Sequence, residues 1–264
     1  MNVTQQGLRR FAFDLNGRTI LVTGASTGIG VGFARVLAAS GASVVLAARR
    51  IKLLECVRDE IVAAGGKALA VTLDVADEAS TIAAYDAAER AFGPVDSVIA
   101  NAGAGMGGLA LDADVDYLAR TLDINIRGVF LTAREGARRM LAAGSTERHH
   151  GRIVLVSSIT AHHVTPALAT YSATKAAVNQ LGKVLAREWA NKGINVNVLC
   201  PGYMETEMTD AWFGGEGGKK QPGKFPRKRL METDALDPMI LYLASDASEQ
   251  VTGSVFTVDD GQSL

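Results

Sequence analysis

The chain has 264 residues, 48% of them hydrophobic, enough for one large α/β domain or two small ones with a substantial core. Its formal net charge is −1, so nothing in the total favours nucleic acid or an anionic membrane surface as a partner. No apolar run reaches the roughly 18 residues of a membrane-spanning helix, and Met1 to Leu15 lacks a signal-peptide hydrophobic region, so a cytoplasmic protein with a short N-terminal arm (1–16) is expected.

Apolar runs of strand length alternate with longer amphipathic stretches. Thr19 to Val22 reads as the first strand and Ile29 to Ala39 as a helix closed by Ser40-Gly41. Ser43 to Ala47 is the second strand, followed by a helix from Leu53 to Ala64. Ala68 to Leu73 and Ser97 to Ala100 are the third and fourth strands, with a helix from Ala79 to Phe92 between them. Helices then fill Tyr117 to Leu141, with a break near Gly128. Ile153 to Val156 is the fifth strand, Tyr171 to Asn191 a long helix and Ile194 to Leu199 the sixth strand. A helix from Pro238 to Ala244 precedes the last strand, Ser254 to Val258.

Alternation of this kind predicts βαβ units in a doubly wound, Rossmann-like parallel sheet of about seven strands with helices on both faces. No linker or repeat divides the chain, so residues 1–264 are read as a single domain. Ligands in such sheets bind at the carboxyl ends of the strands, near the point where strand order reverses. Cys56 and Cys200 read as ordinary packing residues. The pairs His149-His150 and His162-His163 lack carboxylates or cysteines at ligand spacing, so no metal is expected.

Thr23-Gly24-Ala25-Ser26-Thr27-Gly28-Ile29-Gly30 follows the first strand and opens a helix. Glycines there let the backbone turn and approach a pyrophosphate, while the helix start presents N–H groups. The bland alternative is a tight strand-to-helix turn. The second strand ends in Ala47-Ala48-Arg49-Arg50 rather than in an acid. Arginine pairs bidentately with phosphate, so NADP(H) is the preferred cofactor, with Arg49 its first contact and NAD(H) the lesser one. The alternative is a solvated pair starting the next helix. Asp74, with Val75 beside it, is placed to accept from an adenine amino group or to cap a helix. Asn101-Ala102-Gly103 puts small residues where a backbone passes a ligand, although Asn101 alone could brace the turn.

Tyr171 and Lys175 stand four residues apart, on one face of a helix. A free phenol titrates at about 10, and a nearby positive charge favours phenolate and lowers that value. The pair therefore reads as a general acid/base, or as two groups on a solvated helix face.

In this order, the segment Thr23–Gly30, Asn101-Ala102-Gly103, Ser158, the Tyr171/Lys175 pair and Pro201-Gly202 resemble the short-chain dehydrogenase/reductase family, in its single-domain branch. The likeness runs from Arg18 to Gly261. It implies an oxidoreductase acting on a ketone or secondary alcohol, with Tyr171 as proton donor or acceptor. It implies that Lys175 lowers the Tyr171 pKa and binds the nicotinamide ribose, and that Ser158 orients the substrate oxygen. Asn125 would hold a helix distortion and a water next to Lys175. Pro201, Gly202 and Thr206 would meet the nicotinamide. A homotetramer is the family expectation.

Two positions depart from the pattern. Thr27 stands where NADP-preferring relatives often carry a basic residue, so the cofactor preference leans on Arg49 and Arg50. Asp259-Asp260-Gly261 replaces the frequent Asp-Gly-Gly. The connection Gly144 to Gly151 is longer and more polar than it needs to be.

Residues 203–230 form the expected substrate loop. Gly214 to Arg229 holds Lys219, Lys220, Lys224, Arg227, Lys228 and Arg229 against Glu216. Its glycines suggest a mobile lid. Its charge either draws an anionic substrate or is merely solvated. Met106, His162 and His163 are placed near the pocket walls. Two competing readings share this fold. A non-catalytic NADP(H)-binding sensor would tolerate loss of a catalytic residue, yet all are present. A methyltransferase has no need of Ser158, Tyr171 and Lys175 together.

Overall fold

Seven strands and the helices between them alternate in space as the apolar pattern predicts. The structure is a computed structural model that describes residues 13–105 and 108–264. The first twelve residues of the expected N-terminal arm, and Met106 with its expected place in the pocket wall, lie outside the described residues. The strands are β1 (Thr19–Thr23), β2 (Ser43–Ala48), β3 (Lys67–Thr72), β4 (Ser97–Ala100), β5 (Gly151–Val156), β6 (Ile194–Pro201) and β7 (Val255–Val258). The helices between them are α1 (Ile29–Ala39), α2 (Ile51–Ala63), α3 (Glu78–Phe92), α4 (Val115–Leu122), α5 (Val129–Ala142), α6 (Ser145–Arg148), α7 (Ala169–Trp189), α8 (Asp210–Phe213), α9 (Glu216–Lys220) and α10 (Asp237–Ala244). The break expected near Gly128 is instead a π-helical turn, Asp123–Gly128, joining α4 to α5.

The sheet has the order β3-β2-β1-β4-β5-β6-β7, and every pairing is parallel. β4 follows β3 in the chain but lies against β1. Strand order therefore reverses between β1 and β4, which opens a crevice at their carboxyl ends.

Side chains alternate across the sheet with period two. Ile20, Val22, Val44 and Leu46 pack with Phe33 and Leu37 of α1, Leu54 of α2 and Ile240 of α10. Leu21, Val45 and Val98 face the other way, onto Tyr85 of α3, Ala133 of α5 and Val178 of α7. Burying each such side chain contributes about 1.5–3 kcal/mol. Short strands such as β4, buried on both faces, depend on this packing.

Two expectations change. Cys56 is exposed, because the helical period turns Leu54, Val57 and Ile61 of α2 inward and leaves position 56 outside. The polar connection after α5 has a structural use. It forms α6, and His150 beyond it joins Arg18, Asp96 and Asp246 at the amino ends of the strands.

α7 lies so close to β6 that a Cβ on Gly182 would stand 2.3 Å from Val198 Cγ2. Gly182→Ala is expected to destabilise the fold by about 1–3 kcal/mol through overpacking, despite the better helix propensity of alanine. Adding Val198→Ala should recover part of that loss, as measured by urea denaturation of the single and double variants.

Candidate active site

The carboxyl ends of the strands open into a cavity of about 760 Å³. Gly24, Ser26, Thr27, Gly28 and Ile29 line it along the β1–α1 turn. Gly30 sits behind them, and a Cβ there would come 2.3 Å from Gly24 O. A Cβ on Gly24 would lie 2.9 Å from Ala102 Cα. The turn is thus as close-packed as backbone allows, and its glycines keep side chains out of the cradle. Among the described residues no side chain caps the start of α1. Val31 N donates to Gly28 O at 3.2 Å, and a helix start without a side-chain cap is a place where an anion can be held.

Arg49 and Arg50 stand at the same end. Arg50 Nη1 donates to Glu207 Oε1 at 2.7 Å and Nη2 to Oε2 at 2.9 Å. Nη2 also reaches Thr27 Oγ1 at 2.9 Å and Ser26 Oγ at 3.2 Å. Arg50 thus bridges the phosphate turn and the segment after β6, and its hydrogen bonds hold the Glu207 carboxyl down at about 2. Arg49 has no ion-pair partner among the described residues, which leaves it open to a further phosphate.

Asp74 and Val75 line the cavity beyond β3. Asp74 Oδ1 accepts from Ala76 N at 3.1 Å. The helix-capping alternative belongs to Asp77, whose side chain accepts from Ala79 N at the start of α3. Asn101 follows its bracing alternative: Nδ2 donates to Thr23 O at 3.0 Å and to Gly24 O at 3.3 Å. Ala102, Gly103, Pro201, Gly202 and Thr206 line the middle of the cavity.

Ser158, Tyr171 and Lys175 line the same cavity, brought there by the end of β5 and the first turns of α7. Lys175 Nζ donates to Val156 O at 2.9 Å, and Ser157 Oγ donates to Lys175 O at 2.9 Å. Lys175 Nζ lies 5.6 Å from the centroid of the Tyr171 ring, so the i,i+4 spacing does place both on one face. A Cβ on Gly103 would meet Lys175 Nζ at 3.5 Å and Asn125 Oδ1 at 3.6 Å, which locates all three at one point.

Asn125 is fully buried in the π-helical turn. Its Oδ1 accepts from Ala104 N, and its Nδ2 donates to Ala104 O and to Thr174 Oγ1. Thr174 Oγ1 in turn donates to Tyr171 O at 2.7 Å. Both Nδ2 hydrogens are therefore spent on pinning the strand-four loop to α7. The helix distortion expected at Asn125 is present, and this bracing is what the side chain does in it.

Burial pulls the Lys175 ammonium down to about 8. It pushes the Tyr171 phenol up to about 12, while a hydrogen bond with Ser158 works the other way. This is opposite to the lowering expected from the lysine. Withdrawing a phenolate from water is the largest influence on this group, and burial likewise disfavours the charged lysine.

The substrate loop is more ordered in form than its composition suggests. Residues 210–224 make α8, α9 and a 3₁₀ turn. A Cβ on Gly218 would fall 2.0 Å from Trp212 O, so that glycine serves close packing of α9 on α8. Tyr203 stacks on Phe225 at 5.6 Å and meets Phe213 edge-on. None of the six basic residues lines the cavity. Arg227 and Arg229 pair with Asp260, the residue that departs from the usual terminal glycine. His162 and His163 are also outside the lining.

Sequence reading missed Gly105, Tyr203, Glu207 and Trp212, all of which line the cavity. A Cβ on Gly105 would stand 2.3 Å from Tyr171 Cδ2. The only signal for it was one more small residue after Asn101-Ala102-Gly103.

A family model described as short chain dehydrogenase matches residues 18–216. Oxidoreductase UcpA of Escherichia coli is 36% identical over 259 residues, covering 95% of this chain and 96% of its own. Gluconate 5-dehydrogenase of Gluconobacter oxydans is 35% identical over 255 residues, covering 94% and 96%. The crystal structure of a gluconate 5-dehydrogenase from Burkholderia cenocepacia, in complex with NADP and tartrate, superposes with a TM-score of 0.89 at 33% identity, over 96% of this chain and 98% of that one.

Gly105→Ala is expected to displace the Tyr171 ring. A shift of about 1 Å at a reacting group reduces turnover on the order of 100-fold, while dinucleotide affinity, set at the other end of the cavity, should stay within about twofold. Steady-state rates beside equilibrium titration of the dinucleotide check both halves.

Proposed function

This chain belongs to the short-chain dehydrogenase family, and on that premise we propose that it is an NADP-preferring oxidoreductase, one catalytic domain that interconverts a secondary alcohol and a ketone, chiefly by reduction. The observation that carries this reading is a single cavity with a close-packed phosphate turn and two arginines at one end and Ser158, Tyr171 and Lys175 at the other. The residues fit such a cofactor. Gly24, Ser26, Thr27, Gly28 and Ile29 would hold its pyrophosphate, with Arg49 and Arg50 toward the 2′-phosphate and Asp74 and Val75 toward adenine. Asn101 to Gly103 would shape the middle, and Pro201, Gly202 and Thr206 the nicotinamide end. When bound, the nicotinamide supplies hydride to the carbonyl carbon or takes it from the alcohol.

The chain's own residues handle the oxygen. The Ser158 hydroxyl orients it and stabilises charge developing there. The Tyr171 phenol gives it a proton, and the Lys175 ammonium stabilises the phenolate left behind. A phenol held at about 12 is protonated throughout the neutral range. It therefore carries the proton that reduction of a carbonyl needs.

Assembly into a homo-oligomer is part of the same reading. Leu122, Phe130, Leu141 and Val184, on α4, α5 and α7, remain exposed, and the family expectation is a tetramer.

The experiment is to follow NADPH and NADH oxidation over a ketone panel with purified protein. NADPH should be the better substrate by kcat/KM, and Tyr171→Phe should lower kcat on the order of 10²–10⁴-fold with dinucleotide binding retained. NADH used as well as NADPH would sink the cofactor assignment, and turnover independent of Tyr171 would sink the catalytic one.

The pH dependence has a definite sign. Lys175 loses its charge as pH rises through about 8, and an uncharged amine no longer supports a phenolate. Reduction should be flat between about pH 6 and 7 and decline above 8. Alcohol oxidation, which needs the phenolate, should rise with pH only up to about 8, where loss of the Lys175 charge works against it. Initial-rate profiles in both directions check this.

A further inference from the structure

Charge around the cavity is confined to the part assigned to the cofactor and to Lys175. Arg49, Arg50, Asp74 and Glu207 belong to the part assigned to the cofactor, and Lys175 lies beside Tyr171. The remaining described lining carries no carboxylate, guanidinium, ammonium or imidazole.

The walls beyond Tyr171 are apolar. Leu109, Pro166 and Leu168 come from the loops after β4 and β5, and Met208 and Trp212 from the segment after β6. Leu109 is 62% exposed, Trp212 53% and Met208 42%, so the mouth presents uncovered hydrophobic surface. The polar groups there are few and neutral. The Tyr203 and Thr165 hydroxyls already bond each other at 3.3 Å, and Gln221 adds an amide.

A sugar acid would bring a carboxylate and several hydroxyls to this wall. Burying a carboxylate without a cation is heavily unfavourable, and each unmatched hydroxyl adds to that cost. The basic residues of the substrate loop do not supply the cation, because they lie outside the lining.

We infer that the substrate is an uncharged, largely apolar ketone or secondary alcohol, aryl-alkyl or alicyclic, whose apolar body lies against Leu109, Leu168, Met208 and Trp212. The inference rests on the alcohol/ketone reading of the same site. It separates this chain from the gluconate dehydrogenases among its relatives.

The test uses the NADPH-saturated full-length protein. Acetophenone, 4-methylcyclohexanone and a series of 2-alkanones are compared with 4-acetylbenzoate, 5-ketogluconate and fructose. The apolar ketones should dominate. kcat/KM should rise roughly fourfold per added methylene along the alkanones, and 4-acetylbenzoate should fall on the order of 100-fold below acetophenone. Equal or better turnover of 5-ketogluconate or fructose overturns the inference. If no compound is reduced, Trp212 fluorescence decides, with Trp212→Phe as the blank. Saturable quenching by acetophenone but not by 5-ketogluconate upholds the substrate class while the reductase reading fails. No quenching by any apolar ketone overturns the class itself.

Discussion

Two reciprocal hydrogen bonds tie the end of β5 to α7. Lys175 Nζ donates to Val156 O, and Ser157 Oγ donates to Lys175 O. Both are buried, and a buried donor left without its partner costs about 1–3 kcal/mol, more if charged. The strand end and the helix are therefore held in one relative position. Ser158 follows Ser157 on the strand side, and Tyr171 lies one helical turn before Lys175. The same bonds that join two elements thus set the distance between Ser158 and Tyr171. Asn125 and Thr174 extend the constraint to the loop after β4, where Gly105 passes beneath the tyrosine ring.

The other end of the cavity is held more weakly. The Arg50–Glu207 pair is about half exposed on both sides, where solvent screens an ion pair and leaves it weak. A dianionic phosphate beside Arg50 forms stronger charge-assisted bonds than that. The pair links the phosphate turn to the segment after β6 without locking it, which suits a cleft that must admit and release a dinucleotide. Rigid geometry sits where bonds are to change, and exchangeable geometry where a cofactor enters.

Much of this was legible beforehand for definite reasons. Strands buried on both faces leave short unbroken apolar runs, so β1 to β7 appear in the sequence with ends within two residues of those observed. Tyr171 and Lys175 could be singled out because the helical period alone puts them on one face, while Ser158, 13 residues earlier, was marked by the family resemblance. Other features had no local signature. Glu207 is 157 residues from Arg50, and only the sheet brings them together. Glycine content in the substrate loop suggested mobility. Yet the exclusion of a Cβ from Gly218 depends on where α8 lies, which composition does not encode. Cys56 was misassigned because type rather than helical phase was read.

The sequence by itself determined the order of the elements, the parallel α/β class and the placing of Tyr171 and Lys175 on one helix face, since each depends on periodicity or on spacing within a few residues. Tertiary structure alone decided how Tyr171 and Lys175 are shifted and the character of the pocket. Tyr171 stands high and Lys175 low because of how much water the folded chain excludes around them. The six basic residues, open in sequence to either an anion-drawing or a merely solvated role, lie outside the cavity, where two of them pair with Asp260. Desolvation and facing direction arise only when distant segments pack, and no stretch of sequence carries either one.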